Sequence, residues 1–130
     1  MTTVKAVPAI KTSAINIVVL AGRLSRPAEH RVLPSGDQLV SLELSMAQPG
    51  MRTETVPVVW FEAPASATTL DVDDQVAVVG RVRRRFFRSG GSTQSRTEVV
   101  ADTVVPLRRA QAVTKAVAGA VSRLQAVALS

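Results

Sequence analysis

The sequence predicts a small, closed all-β domain followed by a C-terminal α-helix. Three observations carry that expectation. Short β-branched runs are broken by turn residues at intervals of about 8–14 residues. Gln38 to Met46 alternates with a period of two, setting Val40, Leu42, Leu44 and Met46 against Leu39, Ser41, Glu43 and Ser45. After Pro106 the chain becomes rich in Ala, Gln, Lys and Arg, with apolar residues at helical spacing.

The elements follow in order. Residues 1–13, with Pro8 and several Thr and Ser, read as a loose arm. Ile15 to Leu24 is a first strand, ended by Ser25-Arg26-Pro27. Lys5 and Lys11 before the apolar run Ala14 to Ala21 resemble a secretion signal. Asn16 interrupts that run and no spacer follows it, so it reads as a strand instead. Glu29 to Leu33 is a short strand, and Pro34-Ser35-Gly36-Asp37 is a turn. The alternating strand Gln38 to Met46 ends at Gln48-Pro49-Gly50. Thr53 to Phe61 is the next strand, with Pro57 placing it at an edge or a bulge. On it Val56, Val58 and Trp60 form the expected core face, which leaves Phe61 the more exposed ring. Ala63 to Leu70 has room for one or two helical turns, and Asp71 to Asp74 is an acidic turn. Gln75 to Arg88 and Ser95 to Val105 are long strands joined through Ser89-Gly90-Gly91-Ser92. Residues 14–107 thus make up the barrel domain and 108–130 the helix.

Composition limits what such a domain does. One His, no Cys and no Tyr leave few routes to catalysis, and no residue is assigned a catalytic role. His30, between Glu29 and Arg31, reads as a surface residue. Asp71, Asp73 and Asp74 lack the turn glycine and closing glutamate of a calcium loop, and no histidine pair exists for zinc. Gly90-Gly91 is not followed by a Lys-Ser or Lys-Thr pair, so it is not a phosphate loop. No cofactor, metal or membrane span is expected. The net charge of +6 suits a polyanionic partner.

That charge is concentrated. Arg81, Arg83, Arg84, Arg85 and Arg88 place five of the sixteen basic residues within eight positions. On a strand, Arg81, Arg83, Arg85 and Phe87 share one face. Val76, Val78, Gly80, Val82, Arg84 and Phe86 share the other, which begins apolar and reads as the core face. Guanidinium groups beside an exposed ring suit unpaired nucleic acid: the cations neutralise phosphates and the ring stacks on bases. The competing reading is a solvated hairpin with Phe87 packed under a loop. In the C-terminal segment Val113, Val117, Ala120, Leu124 and Val127 form one helical stripe. It folds back on the barrel or meets a second helix, and the sequence leaves both open.

With the segments placed, the chain resembles the bacterial single-stranded DNA-binding proteins, looking closest to short actinobacterial members. The resemblance covers roughly residues 15–107. It rests on Ile15-Asn16-Ile17-Val18-Val19-Leu20-Ala21-Gly22-Arg23-Leu24, on Arg31-Val32-Leu33-Pro34-Ser35-Gly36, on Thr53-Glu54 with Val58 to Phe61, and on Asp74-Gln75-Val76 through Gly80-Arg81-Val82-Arg83. It implies a five-stranded OB-fold barrel, a homo-oligomer (dimer or tetramer), and single-stranded DNA, with RNA as a further candidate, lying over aromatic and basic residues. Carried over by position, Phe61 and Phe87 match base-stacking sites. Arg83 and Arg85 fall on the strand lining the path; the residue pattern itself adds Arg81, Arg88 and Thr55 to the candidate nucleic-acid-binding set. The family's stacking Trp near Thr55 has no counterpart, nor does its Trp before the central loop, which is shortened here to Gln48-Pro49-Gly50. Its acidic, Phe-ending tip is not matched by the final Ala-Leu-Ser. Recruitment of repair and replication enzymes through such a tip is therefore not expected, and the chain reads as a specialised paralogue. The alternative is an adaptor whose C-terminal helix docks a protein partner. The compartment expected is the cytoplasm, at the nucleoid.

Overall fold

The computed structural model describes residues 10–12 and 14–129. Strands β2 (Val18–Leu24), β4 (Gln38–Met46), β5 (Glu54–Phe61), β6 (Gln75–Ser89) and β7 (Ser92–Pro106) form a sheet in the order β2-β6-β7-β5-β4. Pairing of Arg23 and Leu24 with Ser45 and Leu44 closes it into the expected five-stranded OB barrel. Short β3 (Glu29–Val32) takes the rest of that edge of β4. A 3-10 helix, Ala65–Thr69, fills the region where one or two helical turns were expected.

Alternation in β4, β5 and the first third of β6 directs Val40, Leu42, Leu44, Val58, Val76 and Val78 into one buried cluster with Leu24, Val99 and Val104. Trp60 packs against that cluster, on the face where the sequence placed it. The ladder from β5 to β7 is parallel and short, pairing Val58 with Val99 and Val59 with Val100. Pro57 lies just before it, where its missing N–H costs no bond to β7.

A bulge sets the shape of the long hairpin. Val79 pairs with Thr103 but Gly80 pairs with Ala101, leaving Asp102 as the extra residue. A Cβ on Gly80 would run into the Val100 carbonyl oxygen, so the two backbones meet only because this residue is glycine. The strand expected from Ile15, β2, begins at Val18 because a side chain replaces the ladder there. The Asn16 amide donates to the Val82 carbonyl oxygen at 2.7 Å and accepts from the Val82 N–H at 2.9 Å.

Helix α1 (Ala110–Ala126) lies over the outer surface of β6 and β7. Ala120 is buried, and Arg123 donates to Asp102, the bulge residue, at 3.0 Å. A cleft of about 500 Å³ remains between Val79, Thr103 and Val105 and the small residues Ala112, Ala116 and Gly119. The helix ends earlier than expected. Val127 adopts an extended conformation as its C-cap and begins β8 (Val127–Leu129), which pairs parallel with β1 (Ile10–Thr12). A β-branched residue suits that strand better than another helical turn. Of the loose arm expected at residues 1–13, residues 1–9 and 13 lie outside the described residues.

Candidate nucleic-acid interface

Beyond Gly80 the β6–β7 hairpin leaves the barrel. The ladder from β2 stops at the Val18–Gly80 pair, and the β5 ladder stops at Val99, opposite Val82. The remaining turns of chain form a two-stranded ribbon, tightened at its tip by Gly90 and Gly91, with φ of 60° and 81°. Outward of the Arg83–Glu98 pair every residue of this ribbon is exposed. The expected core face fails here: Val82 is exposed and Phe86 is 67% exposed, more than Phe87 at 36%. The alternation continues, but past Gly80 the core reaches only the β7 side, at Val99, and leaves Val82 and Phe86 uncovered.

On the other face the hairpin register aligns Arg81 with Val100, Arg83 with Glu98, Arg85 with Arg96 and Phe87 with Gln94. This face continues across β5 and β4 as a cleft of about 240 Å³. Val59, Phe61 and Leu39 line it as apolar wall, and Arg83, Arg85, Arg96, Arg26 and Arg31 surround it. Five guanidinium groups thus face one carboxylate, Glu98. Arg26 also reaches Glu43 at 3.4 Å and Arg31 reaches Glu29 at 3.3 Å, but these are exposed pairs, each worth at most about 1 kcal/mol.

Glu98 is the one buried charged residue among the described residues, at 1% exposure. Arg83 donates to its Oε2 through Nε at 3.0 Å and Nη2 at 2.7 Å, and Arg85 donates to Oε1 through Nε at 3.4 Å. The same two guanidiniums lie over rings: Arg83 is 5.4 Å from the Phe61 centroid and Arg85 is 5.1 Å from that of Phe87. The arginine row is thus neither fully open nor bare beside its rings, as the sequence had suggested. Two of its members are shared with an internal anion and cover the aromatic surface. Leaving a buried carboxylate unpaired costs about 3–5 kcal/mol. A base gains only about 1–3 kcal/mol by stacking on an aromatic ring. The comparison favours the guanidiniums staying where they are.

The other expected residues are scattered around this cleft. Arg81 is exposed one step beyond Arg83 on the same face and forms no ion pair among the described residues. Arg88 lies on the reverse face of the ribbon with Arg84 and Phe86, and donates to the Gly91 carbonyl at 3.0 Å. Thr55 shares the face of Phe61 on β5 but lies six residues away, about 20 Å along the strand. The helical stripe is split: Val113, Val117 and Val127 are half-buried, Ala120 is buried, and Leu124 is 47% exposed beside Val121 at 46%.

Sequence reasoning missed Arg26, Arg31, Arg96 and Glu98. For two of them a signal existed. Counting outward from Gly90–Gly91 puts Arg85 opposite Arg96 and Arg83 opposite Glu98. Arg26 and Arg31 come from elements whose approach to β6 depends on barrel closure, which no local pattern encodes.

Comparison with known proteins accords with this geometry. A solved structure described as the wild-type single-stranded DNA binding protein from Thermus aquaticus is similar, with a TM-score of 0.58 and 27% identity. The match covers 71% of this chain and 40% of that one, so this chain spans less than half the length of that relative. Among curated proteins none matches significantly. The model of the single-strand binding protein family matches residues 15–107, which contain the whole barrel and both strands of the basic ribbon, and the chain belongs to that family.

Proposed function

We propose that this chain binds single-stranded DNA, without chemical change and largely without sequence preference, along the cleft between β3–β4–β5 and the β6–β7 ribbon. The observation that carries the reading is the cleft itself: five guanidinium groups against one carboxylate, beside the partly buried Phe61 ring. Arg26, Arg31, Arg81 and Arg96 supply charge to phosphates. Arg83 and Arg85, with Phe61 and Phe87, supply the surface that bases meet. Thr55 extends the path along β5, whereas Arg88, on the reverse face of the ribbon, adds only to the positive charge around it. Neither guanidinium groups nor phenyl rings read base edges well in this arrangement, so binding is sequence-tolerant and RNA is a further candidate ligand. The paralogue reading rests on the shortened loop and the few aromatic residues.

The role is non-catalytic, requires no cofactor, and belongs with replication, repair and recombination at the nucleoid. The chain acts as a homo-oligomer. The exposed pair Val121 and Leu124, next to the half-buried Val113 and Val117, is the surface that supports self-association or, as a second reading, docking of a protein partner by the helix.

The test is a labelled oligonucleotide titrated at several salt concentrations. If about five phosphates are neutralised, log affinity falls with log salt at a slope of roughly −3 to −4. A flat response overturns the reading.

A further inference from the structure

We infer that Glu98 is a positioning residue of the nucleic-acid site: it holds Arg83 on Phe61 and Arg85 on Phe87, so that bases stack on guanidinium planes backed by rings rather than on the rings themselves. The inference rests on the proposed DNA-binding role and assigns its stacking surface.

Three observations support it. The carboxylate of Glu98 is buried, yet its two oxygens are divided between two arginines of the adjacent strand. Each of those arginines also lies over a different phenylalanine, at 5.4 and 5.1 Å from the centroids. The side chains of Arg83 and Arg85 are 33% and 44% exposed, so each guanidinium keeps a surface toward solvent. A guanidinium is planar and delocalised, and nucleobases stack on it as they stack on aromatic rings. A stacking surface of this kind requires something to fix its rotation, and a carboxylate buried away from solvent does so. Arg83, with two bonds to Glu98, is fixed more firmly than Arg85, whose single bond is 3.4 Å long. A domain with 3% aromatic residues gains stacking surface in this way without further rings.

The test compares two ligands of equal length and charge: an oligothymidylate and an abasic deoxyribose-phosphate strand. The wild-type chain is expected to bind the thymidylate more tightly. In E98Q the thymidylate affinity falls about tenfold, the loss of one stacked base, while affinity for the abasic strand holds or rises. R83K keeps the cation and removes the plane, so it lowers the ratio of the two affinities in the same direction, and R85K does so to a smaller extent. An unchanged ratio in E98Q or R83K overturns the inference. Should E98Q fail to fold, R83K and R85K decide the matter, because both leave a cation beside Glu98. Failure of the wild-type chain to bind either strand refutes the DNA-binding role. Equal wild-type binding of both strands leaves that role intact and refutes only the stacking platforms.

Discussion

The two parts of β6 make an instructive contrast. From Val76 to Gly80 every residue is buried, held between β2, β7, the barrel core and helix α1. From Arg81 to Ser89 all but Arg83 are exposed, and β7 is the one strand alongside beyond Val82. The hydrogen-bonded ladder to β7 runs through both parts, broken only by the bulge at Gly80. A strand's alternation therefore reports two faces, and the neighbours decide whether either of them is an interior. In the barrel, apolar residues on both faces are covered. In the ribbon, arginine and phenylalanine on both faces are not, and one face is instead ordered by a single buried carboxylate.

The contrast predicts opposite outcomes for matched substitutions. The largest effect is expected from Val78→Asp, which puts an unpaired charge among fully buried apolar residues. Such a change costs more than about 4 kcal/mol, so circular dichroism should show a largely unfolded chain. Val82→Asp, four residues on and nominally on the same face, should stay within about 0.5 kcal/mol of wild type in urea unfolding. Equal damage from the two would mean that the ribbon packs in solution.

Next in size is charge on the outer face. Arg96→Glu touches no ion pair among the described residues, so its effect should be on binding alone. Oligonucleotide affinity should fall on the order of tenfold, and the salt slope should become shallower by about 0.7. Phe87→Ala should weaken binding by roughly fivefold with the salt slope unchanged, since it removes stacking support and no charge. Phe86→Ala, on the reverse face, should change affinity less than about twofold, despite its greater exposure. A larger loss at Phe86 than at Phe87 would move the path to the other face of the ribbon. The smallest effect is at the helix. Asp102→Ala breaks an exposed pair with Arg123 and should cost less than about 1 kcal/mol in thermal or urea unfolding.

Much of this architecture was legible in local pattern. The limits of β4 follow from its alternation, regular from Val40 to Met46, and Pro34-Ser35-Gly36-Asp37 marks the turn before it, where Gly36 takes a φ of 90°. The tip of the ribbon follows from Gly90-Gly91, two residues that adopt positive φ without a Cβ penalty. Of the interface, Arg83 and Arg85 were readable because charge is concentrated on one face of β6, and Phe61 because Val56, Val58 and Trp60 occupy the core face of β5. Arg26 and Arg31 were not, because they reach the cleft through the folding of β3 and its entry loop against β4.

Local sequence by itself determined the strands, the turns, the excess of positive charge and the face on which Arg83 and Phe87 lie, because each depends on backbone geometry and side-chain type over a few residues. Tertiary structure alone decided that Val82 and Phe86 meet water, that helix α1 lies against its own barrel, and that Glu98 is buried between two arginines. Those outcomes depend on which distant segments arrive beside a strand, and burial and charge pairing are properties of that arrival rather than of any residue in the strand.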